Sequence, residues 1–174
     1  MSAAHFRTPR NTLTGLAFAA CMGAATPGCA GDLVAYSGVG VPGTIRVETG
    51  TRLLYFVLEG GRAWRYPVGV GRAGRQWSGT SRISGRFLNP SWAPPDAIRR
   101  DNPALPAIVP AGSPANPMGV AAMTLAGGPY AIHGTNTPGS IGGFVSYGCI
   151  RMHNADILDL LARVRVGTRV QVVN

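Results

Sequence analysis

The hydrophobic positions of the chain fall in short runs that predict strands more often than helices. Residues 44–48 (TIRVE) alternate between apolar and polar side chains, which predicts a strand with one buried face. Residues 52–58 (RLLYFVL) form a continuous apolar run, typical of a strand that is buried on both faces. A Gly-rich turn at 59–61 leads into residues 62–70 (RAWRYPVGV), so the two runs predict a hairpin, with Pro67 at an edge or a bulge.

The second half of the chain combines further strands with one helix. Apolar runs predict strands at 80–87, 121–125, 130–133 and 168–173. Residues 154–164 (NADILDLLARV) place apolar side chains at helical spacing and predict the only clear helix, with Asn154 as its N-terminal cap.

The segment 71–117 is rich in Gly, Pro and Arg, and beyond its one strand it predicts a long surface loop. A loop of this length in a compact domain is usually functional, often as a lid or a binding wall. Many short strands with a single helix predict a mostly β fold.

The composition fits one domain of ordinary size. The chain has 174 residues, 45% of them hydrophobic and only 13% charged, which excludes a disordered polymer. Its 16 basic residues are all Arg and outnumber the 7 acidic ones, for a net charge of +9. The arginines are scattered, with no basic helix, aromatic RNA platform or zinc-finger spacing. We therefore expect an acidic substrate and no nucleic-acid partner.

The N-terminus has the three parts of an export signal. Residues 1–12 carry arginine but no acid, residues 13–25 are apolar, and small residues follow. The apolar run is too short for a comfortable transmembrane helix, so we expect an exported protein of the periplasm or cell envelope, with no stable membrane span after processing. Cleavage after Ala30 is one interpretation, and the alternatives are lipoprotein-type processing at Cys21 or Cys29 and a retained N-terminal anchor.

Cleavage after Ala30 would leave Cys149 as a lone cysteine, which forms no internal disulfide and is either buried and inert or reactive. A reactive thiol needs a base or a cation beside it. His133 ends an apolar strand sixteen residues before Cys149, and a strand, a loop and a returning strand would bring the two side chains together. Gly148 would allow a substrate carbonyl to approach the backbone, and Arg151 could bind a carboxylate.

Three ordered motifs in this region resemble those of the L,D-transpeptidase catalytic domain, also called the YkuD domain. They are HGTN at 133–136, SIG at 140–142 and S-x-G-C-I-R-M at 146–152. The resemblance covers roughly residues 44–173 and includes the segments YPVGVGR, WSGT, PSWAPP and NPMG. It implies a β-sandwich or barrel with one helix in the C-terminal region and a long loop over the active-site cleft.

The resemblance also implies a reaction. Cys149 would attack the link between meso-diaminopimelate and the terminal D-Ala of a peptidoglycan stem, and the thioester would pass to an amine. His133 would be the base, and the backbone carbonyl of Gly134 would orient its ring. Ser146, Gly148 and Arg151 would line the substrate site, together with Tyr147. Neither a metal nor an organic cofactor is implied, and carbapenem-type inhibitors should acylate the thiol.

Position 147 departs from the family pattern, because many members have His before the Gly-Cys pair where this chain has Tyr147. A tyrosine donates a hydrogen bond but carries no cation at neutral pH. A non-catalytic wall-binding module, with Tyr147 marking lost chemistry, is therefore one alternative to a transpeptidase. The other is a hydrolase on the same scaffold (a carboxypeptidase, or an enzyme that cuts crosslinks or lipoprotein attachments), because cleft shape and water exclusion select the acceptor. The expected organisation is a signal at 1–30, a linker at 31–43 and the catalytic domain at 44–174.

Overall fold

Strands dominate the computed structural model, which describes residues 30–174. The strands within that range are β1 (Asp32–Ala35), β2 (Ile45–Glu48), β3 (Leu53–Leu58), β4 (Arg62–Pro67), β5 (Val70–Gly71), β6 (Gly79–Leu88), β7 (Ala121–Leu125), β8 (Ala131–His133), β9 (Phe144–Ser146), β10 (Ile150–Arg151) and β11 (Arg169–Val173). The helices are α1 (Asp96–Asp101) and α2 (Asn154–Arg163), and one 3-10 turn spans Pro138–Ser140. The mostly β class predicted from the sequence is confirmed.

Nine strands form one curled sheet in the order β1-β4-β3-β2-β11-β6-β7-β8-β10. β6 belongs to both halves of it, since its first residues pair with β11 and its last with β7. A bulge between Ile83 and Gly85 interrupts its register, and such bulges bend a strand and increase its twist. Gly69 and Arg151 exchange backbone hydrogen bonds of 2.9 and 2.8 Å, so β10 also contacts the segment that follows β4. This curl encloses the core and positions the end of β10.

The core is apolar and lies between the curled sheet and α2. β2 buries Ile45 and Val47 completely, in keeping with the alternation in its sequence. α2 buries Ile157, Leu160 and Leu161, and it packs against β7. The predicted helical periodicity at 154–164 is therefore confirmed.

The β3–β4 hairpin forms as predicted, but its second strand ends at Pro67 and not at Val70. β1 pairs with β4 only as far as Arg65, so Pro67 lies beyond that partner, where its missing N–H costs no ladder bond. Val70 pairs with β9 in the separate two-stranded sheet. The segment 31–43, interpreted as a linker, contains β1, which extends the sheet by one strand.

α1 was not predicted from the sequence, because the helix has no apolar stripe. Its residues, DAIRRD, include no buried side chain, and its cap residue Pro95 makes no side-chain hydrogen bond. The helix belongs to the long segment between β6 and β7, where Trp92 and Val109 also form an isolated antiparallel bridge. The predicted loop is thus partly ordered by local structure.

Residues 1–29 lie outside the described residues, and they contain both cysteines and all but the last residue of the export signal predicted at 1–30. Between residues 30 and 174, none of the helices has the length and apolar character needed to cross a membrane. In the same range no cluster of three or more His, Cys, Asp or Glu side chains is arranged to hold a metal ion.

Candidate active site

The parallel pairing of β8 and β10 brings the predicted nucleophile and base together. Arg151 is in register with His133, and Ile150 with Ile132, so Cys149 directly precedes the paired segment. The Met152 N–H also donates to the His133 carbonyl at 2.8 Å. The strand, loop and returning strand expected from the sequence are therefore present.

His133 and Cys149 line one cavity of about 220 Å³. Ser146, Tyr147 and Arg151 line it as well, and its outer wall includes Trp92 and Ile98 from the long segment after β6. Of the three tryptophans, Trp92 is the one that lines this cavity. Gly134 and Gly148 contact these lining residues through their backbone: the Gly134 carbonyl bonds to the His133 ring, and the Gly148 N–H donates to Ser146.

The His133 ring is buried and fixed in orientation. Its Nδ1 lies 2.7 Å from the Gly134 carbonyl oxygen, which can only accept a hydrogen bond. Nδ1 therefore carries the proton, and Nε2 is left as the basic nitrogen of the ring. Burial lowers the pKa of His133 to about 4 and the positive charge of Arg151 adds to this shift, whereas hydrogen bonds with the backbone of Gly134 and Pro117 act in the opposite direction. The ring is accordingly neutral at pH 7 and able to accept a proton.

The Cys149 thiol is also neutral at rest. Burial raises its pKa, although a hydrogen bond with the Ala131 backbone and the charge of Arg151 both act in the opposite direction. A neutral thiol beside a neutral imidazole differs from a preformed thiolate–imidazolium pair. The arrangement suits proton transfer during attack on a carbonyl, in which the ring acts as general base.

Arg151 supplies the positive charge of the cavity. Its side chain is partly buried, and burial lowers its pKa. Its Nε is the one buried side-chain nitrogen or oxygen between residues 30 and 174 without a hydrogen-bond partner. A partly buried guanidinium group with an unused donor is suited to an anionic partner, because such a group recognises carboxylates in a forked geometry.

Ser146 fixes the backbone around Cys149. Its Oγ donates to the Cys149 carbonyl at 2.6 Å and accepts from the Gly148 N–H at 3.0 Å. Gly148 has φ +117°, and a side chain there would overlap the Tyr130 ring. Only glycine adopts this conformation without strain, so the turn before Cys149 requires Gly148.

Trp77 supports the same turn. Its Nε1 donates to the Gly148 carbonyl at 2.8 Å, and its ring stacks on Tyr130 with centroids 4.9 Å apart. The WSGT segment of the family resemblance was the available signal, but the sequence pattern did not identify the Gly148 carbonyl as the partner of Trp77.

Asn154 was predicted to cap α2, and that prediction is wrong. His153 occupies the cap position without a side-chain bond, and Asn154 is the first helical residue. Its Oδ1 accepts instead from the backbone N–H of Thr135 at 3.0 Å and of Val120 at 3.4 Å. Asn154 thus joins the helix start to the segment directly after His133.

Tyr147 makes contacts on the outer side of the cavity. Its hydroxyl donates to the Asp101 carboxylate, and Arg72 Nη2 donates to the same carboxylate at 2.9 Å. The Arg72 guanidinium also lies 4.1 Å from the Tyr147 ring centroid. These contacts connect the residue before Gly148 to the end of α1.

The model of the L,D-transpeptidase catalytic domain family (YkuD) matches residues 42–172, which is most of the chain. The chain belongs to this family. The match begins two residues before the boundary at 44 that was expected from the motifs, and it contains every proposed site residue. The predicted family resemblance is confirmed.

Named relatives agree with this membership. The chain is 43% identical to the probable L,D-transpeptidase ErfK/SrfK of Escherichia coli over 131 residues. This matched region covers 71% of this chain and 41% of that protein. The chain therefore spans about two-fifths of the length of that relative.

Solved L,D-transpeptidases share the fold. L,D-transpeptidase 3 from Mycobacterium tuberculosis, in complex with a faropenem-derived adduct, gives a TM-score of 0.58 at 14% identity, over 75% of this chain and 60% of that chain. The LD transpeptidase LdtMt1, in complex with imipenem, gives 0.57 at 14% identity, over 75% of this chain and 58% of that chain. The predicted β-sandwich or barrel of this family is thus confirmed.

Proposed function

We propose that this protein is a peptidoglycan L,D-transpeptidase with Cys149 as its nucleophile. The family membership supports the reaction class, and one structural observation supports the residues. Cys149, His133 and Arg151 share one cavity, with the His133 ring oriented by the Gly134 carbonyl at 2.7 Å.

In the first half-reaction Cys149 Sγ attacks the carbonyl that joins diaminopimelate to the terminal D-Ala of a tetrapeptide stem. The thiol proton passes to Nε2 of His133, which is neutral because burial lowers its pKa to about 4. The Arg151 charge favours the developing thiolate. The tetrahedral oxyanion receives hydrogen bonds from the backbone N–H of Cys149 and its neighbours, in the turn that Ser146 and Gly148 hold.

The intermediate then collapses to a thioester. The C–N bond breaks, His133 returns its proton to the departing amine, and D-Ala leaves. In the second half-reaction an acceptor amine attacks the thioester and His133 takes the proton that the amine loses. The Cys149 sulfur then leaves and is reprotonated, so that both groups regain their starting state.

The charge of the protein supports an acidic substrate. Sixteen basic residues stand against seven acidic ones. Arg151, with its unpartnered Nε, is the group best suited to bind a stem carboxylate near the reacting bond.

The same cavity should react with β-lactams. Two solved relatives carry β-lactams of the penem and carbapenem types, a faropenem-derived adduct and imipenem. A carbapenem presents a carbonyl within a strained β-lactam ring, and attack by Cys149 would open that ring to form a stable acyl enzyme. Carbapenem-type inhibitors are therefore the proposed ligands of this chain as well.

We also propose the location and organisation expected from the sequence. Export by the signal at 1–30 would bring the catalytic domain at 44–174 to the periplasm or cell envelope, where its substrate lies. β1 falls within the proposed linker at 31–43 and pairs with β4, so part of that segment belongs with the folded domain.

Product mass from a purified tetrapeptide muropeptide tests the function. Loss of D-Ala with joining of two stems is the expected result, and it should vanish in Cys149→Ala. Loss of D-Ala with addition of water would instead show that the enzyme is a hydrolase and not a transferase. An unchanged substrate with folded wild-type protein would contradict both, and it would favour the wall-binding alternative.

A further inference from the structure

A second group of positive charges lies beside the catalytic cavity, around Tyr147. The guanidinium carbons of Arg72 and Arg75 lie 4.1 and 5.3 Å from the centroid of the Tyr147 ring. The Asp101 carboxylate accepts hydrogen bonds from Arg72 Nη2 at 2.9 Å and from the Tyr147 hydroxyl. We call Arg72, Arg75 and Tyr147 the mouth cluster.

The mouth cluster belongs to the edge of the catalytic cavity. Tyr147 itself lines the cavity two residues before Cys149. Asp101 is the last residue of α1, and Ile98 of the same helix also lines the cavity, as does its cap residue Pro95. A ligand that extends from the thiol past Tyr147 would therefore reach the place where Asp101 is bound.

The contacts of Asp101 show that this place accepts a carboxylate. Two donors of different type, a guanidinium and a phenol, converge on one oxygen of that group. Hydrogen bonds from Tyr147 and Arg72 lower the pKa of Asp101, so the bound group is the charged carboxylate. Arg75 makes no salt bridge within residues 30–174, which leaves a further cation for an incoming anion.

Asp101 is also held weakly enough to be replaced. α1 has six residues and none of them is buried. The Arg72–Asp101 pair is about half exposed, with side-chain exposures of 44% and 45%. Exposed ion pairs contribute little to stability because water and salt screen them, so a competing carboxylate can displace Asp101 at small cost.

We propose that the mouth cluster is a recognition site for a carboxylate of the acidic stem peptide, and that Asp101 occupies it in the free protein as an internal competitor. This inference rests on the proposed function for the identity of the ligand. It differs from the role of Arg151, which lies inside the cavity next to the thiol. It also gives Tyr147 a binding function in the position where the family pattern has His.

Equilibrium binding in a Cys149→Ala background tests the site without requiring turnover. The probes are a diaminopimelate tetrapeptide stem with free carboxylates and the same stem with its non-terminal carboxylates amidated, each titrated by calorimetry. The free acid should bind more tightly. Arg72→Gln should weaken its binding about fivefold and leave the amidated stem unchanged. Arg100→Gln, which removes the same charge from an exposed position on α1, is the matched control and should change neither.

Two further variants test the competition. Asp101→Asn should tighten binding of the free acid about threefold, because the internal carboxylate is gone, with no gain for the amidated stem. Tyr147→Phe keeps the ring beside the arginines but removes the hydroxyl, so it should weaken binding of the free acid less than Arg72→Gln does. Equal weakening of both stems by Arg72→Gln, or an Asp101→Asn protein that binds the acid no better, would overturn the proposal. Binding is measured without catalysis, so an inactive wild type would count against the proposed function alone.

Discussion

Acidification tests the charge state that the structure assigns to His133. The pKa of the ring is lowered to about 4, chiefly because burial disfavours the cation, with a further contribution from Arg151. In the proposed mechanism, only the neutral ring can accept the Cys149 proton. Acylation of Cys149 should therefore continue well below the pH at which an ordinary histidine becomes charged.

The expected magnitude follows from the two pKa values. At pH 5.5 a ring with a pKa of about 4 is roughly 97% neutral, whereas a ring at the ordinary value of about 6.5 is roughly 9% neutral. The acylation rate at pH 5.5 should thus stay close to its value at pH 7.5. An unperturbed histidine would instead give about a tenfold loss.

The assay is the pseudo-first-order rate of carbapenem acylation from pH 4 to 8, followed by intact mass, with circular dichroism at each pH to verify folding. Arg151→Gln should shift the acid limb to higher pH, because a cation that lowers the His133 pKa is removed. The variant should also raise the pKa of Cys149, which Arg151 lowers. Arg100→Gln is the charge-matched control.

A folded wild-type protein that loses about nine-tenths of its rate between pH 7.5 and 5.5 would refute this account of His133. A shift of the acid limb to lower pH in Arg151→Gln would refute the assigned sign of the electrostatic effect.

Three other outcomes are expected. The folded pKa of His133 lies below that of the unfolded chain, so its contribution to stability is complete above about pH 6.5 and lost as the pH falls towards 4. In urea unfolding, the free energy of unfolding should fall by about 3 kcal/mol between pH 6.5 and pH 4, and this decrease should be absent in His133→Gln. Ser146→Ala removes two hydrogen bonds in the turn that precedes Cys149 and should slow acylation about tenfold. Ser81→Ala, which removes a hydrogen bond to Ala126, should leave the acylation rate unchanged. Gly148→Ala adds a clash with Tyr130 to backbone strain, so its urea midpoint should fall further than that of Gly142→Ala, which has positive φ but open space.

The sequence predicted those elements whose burial follows a simple period. Ile45 and Val47 alternate along β2, and Leu160 and Leu161 fall on the buried side of α2. The proximity of His133 and Cys149 was also predictable, because a strand, a loop and a returning strand of short span join them. In these cases the local sequence pattern is enough to predict the tertiary contact.

The remaining features depend on contacts that leave no local pattern. α1 buries no side chain, so it has no periodicity to detect. The bond between Tyr147 and Asp101 joins residues 46 apart, and that between Asn154 and Val120 joins residues 34 apart. Each depends on where the long segment after β6 lies against the cavity. Polar contacts of this kind follow from the folded arrangement and not from the spacing of residue types.

The central claim is that Cys149 is an acyl-accepting nucleophile. Its most direct test is the intact mass of the folded protein after incubation with a carbapenem, alongside Cys149→Ala. The account predicts one adduct on the wild type, mapped to Cys149, and none on the variant. A folded wild type that gains no mass, or a Cys149→Ala protein that is acylated equally, would contradict it.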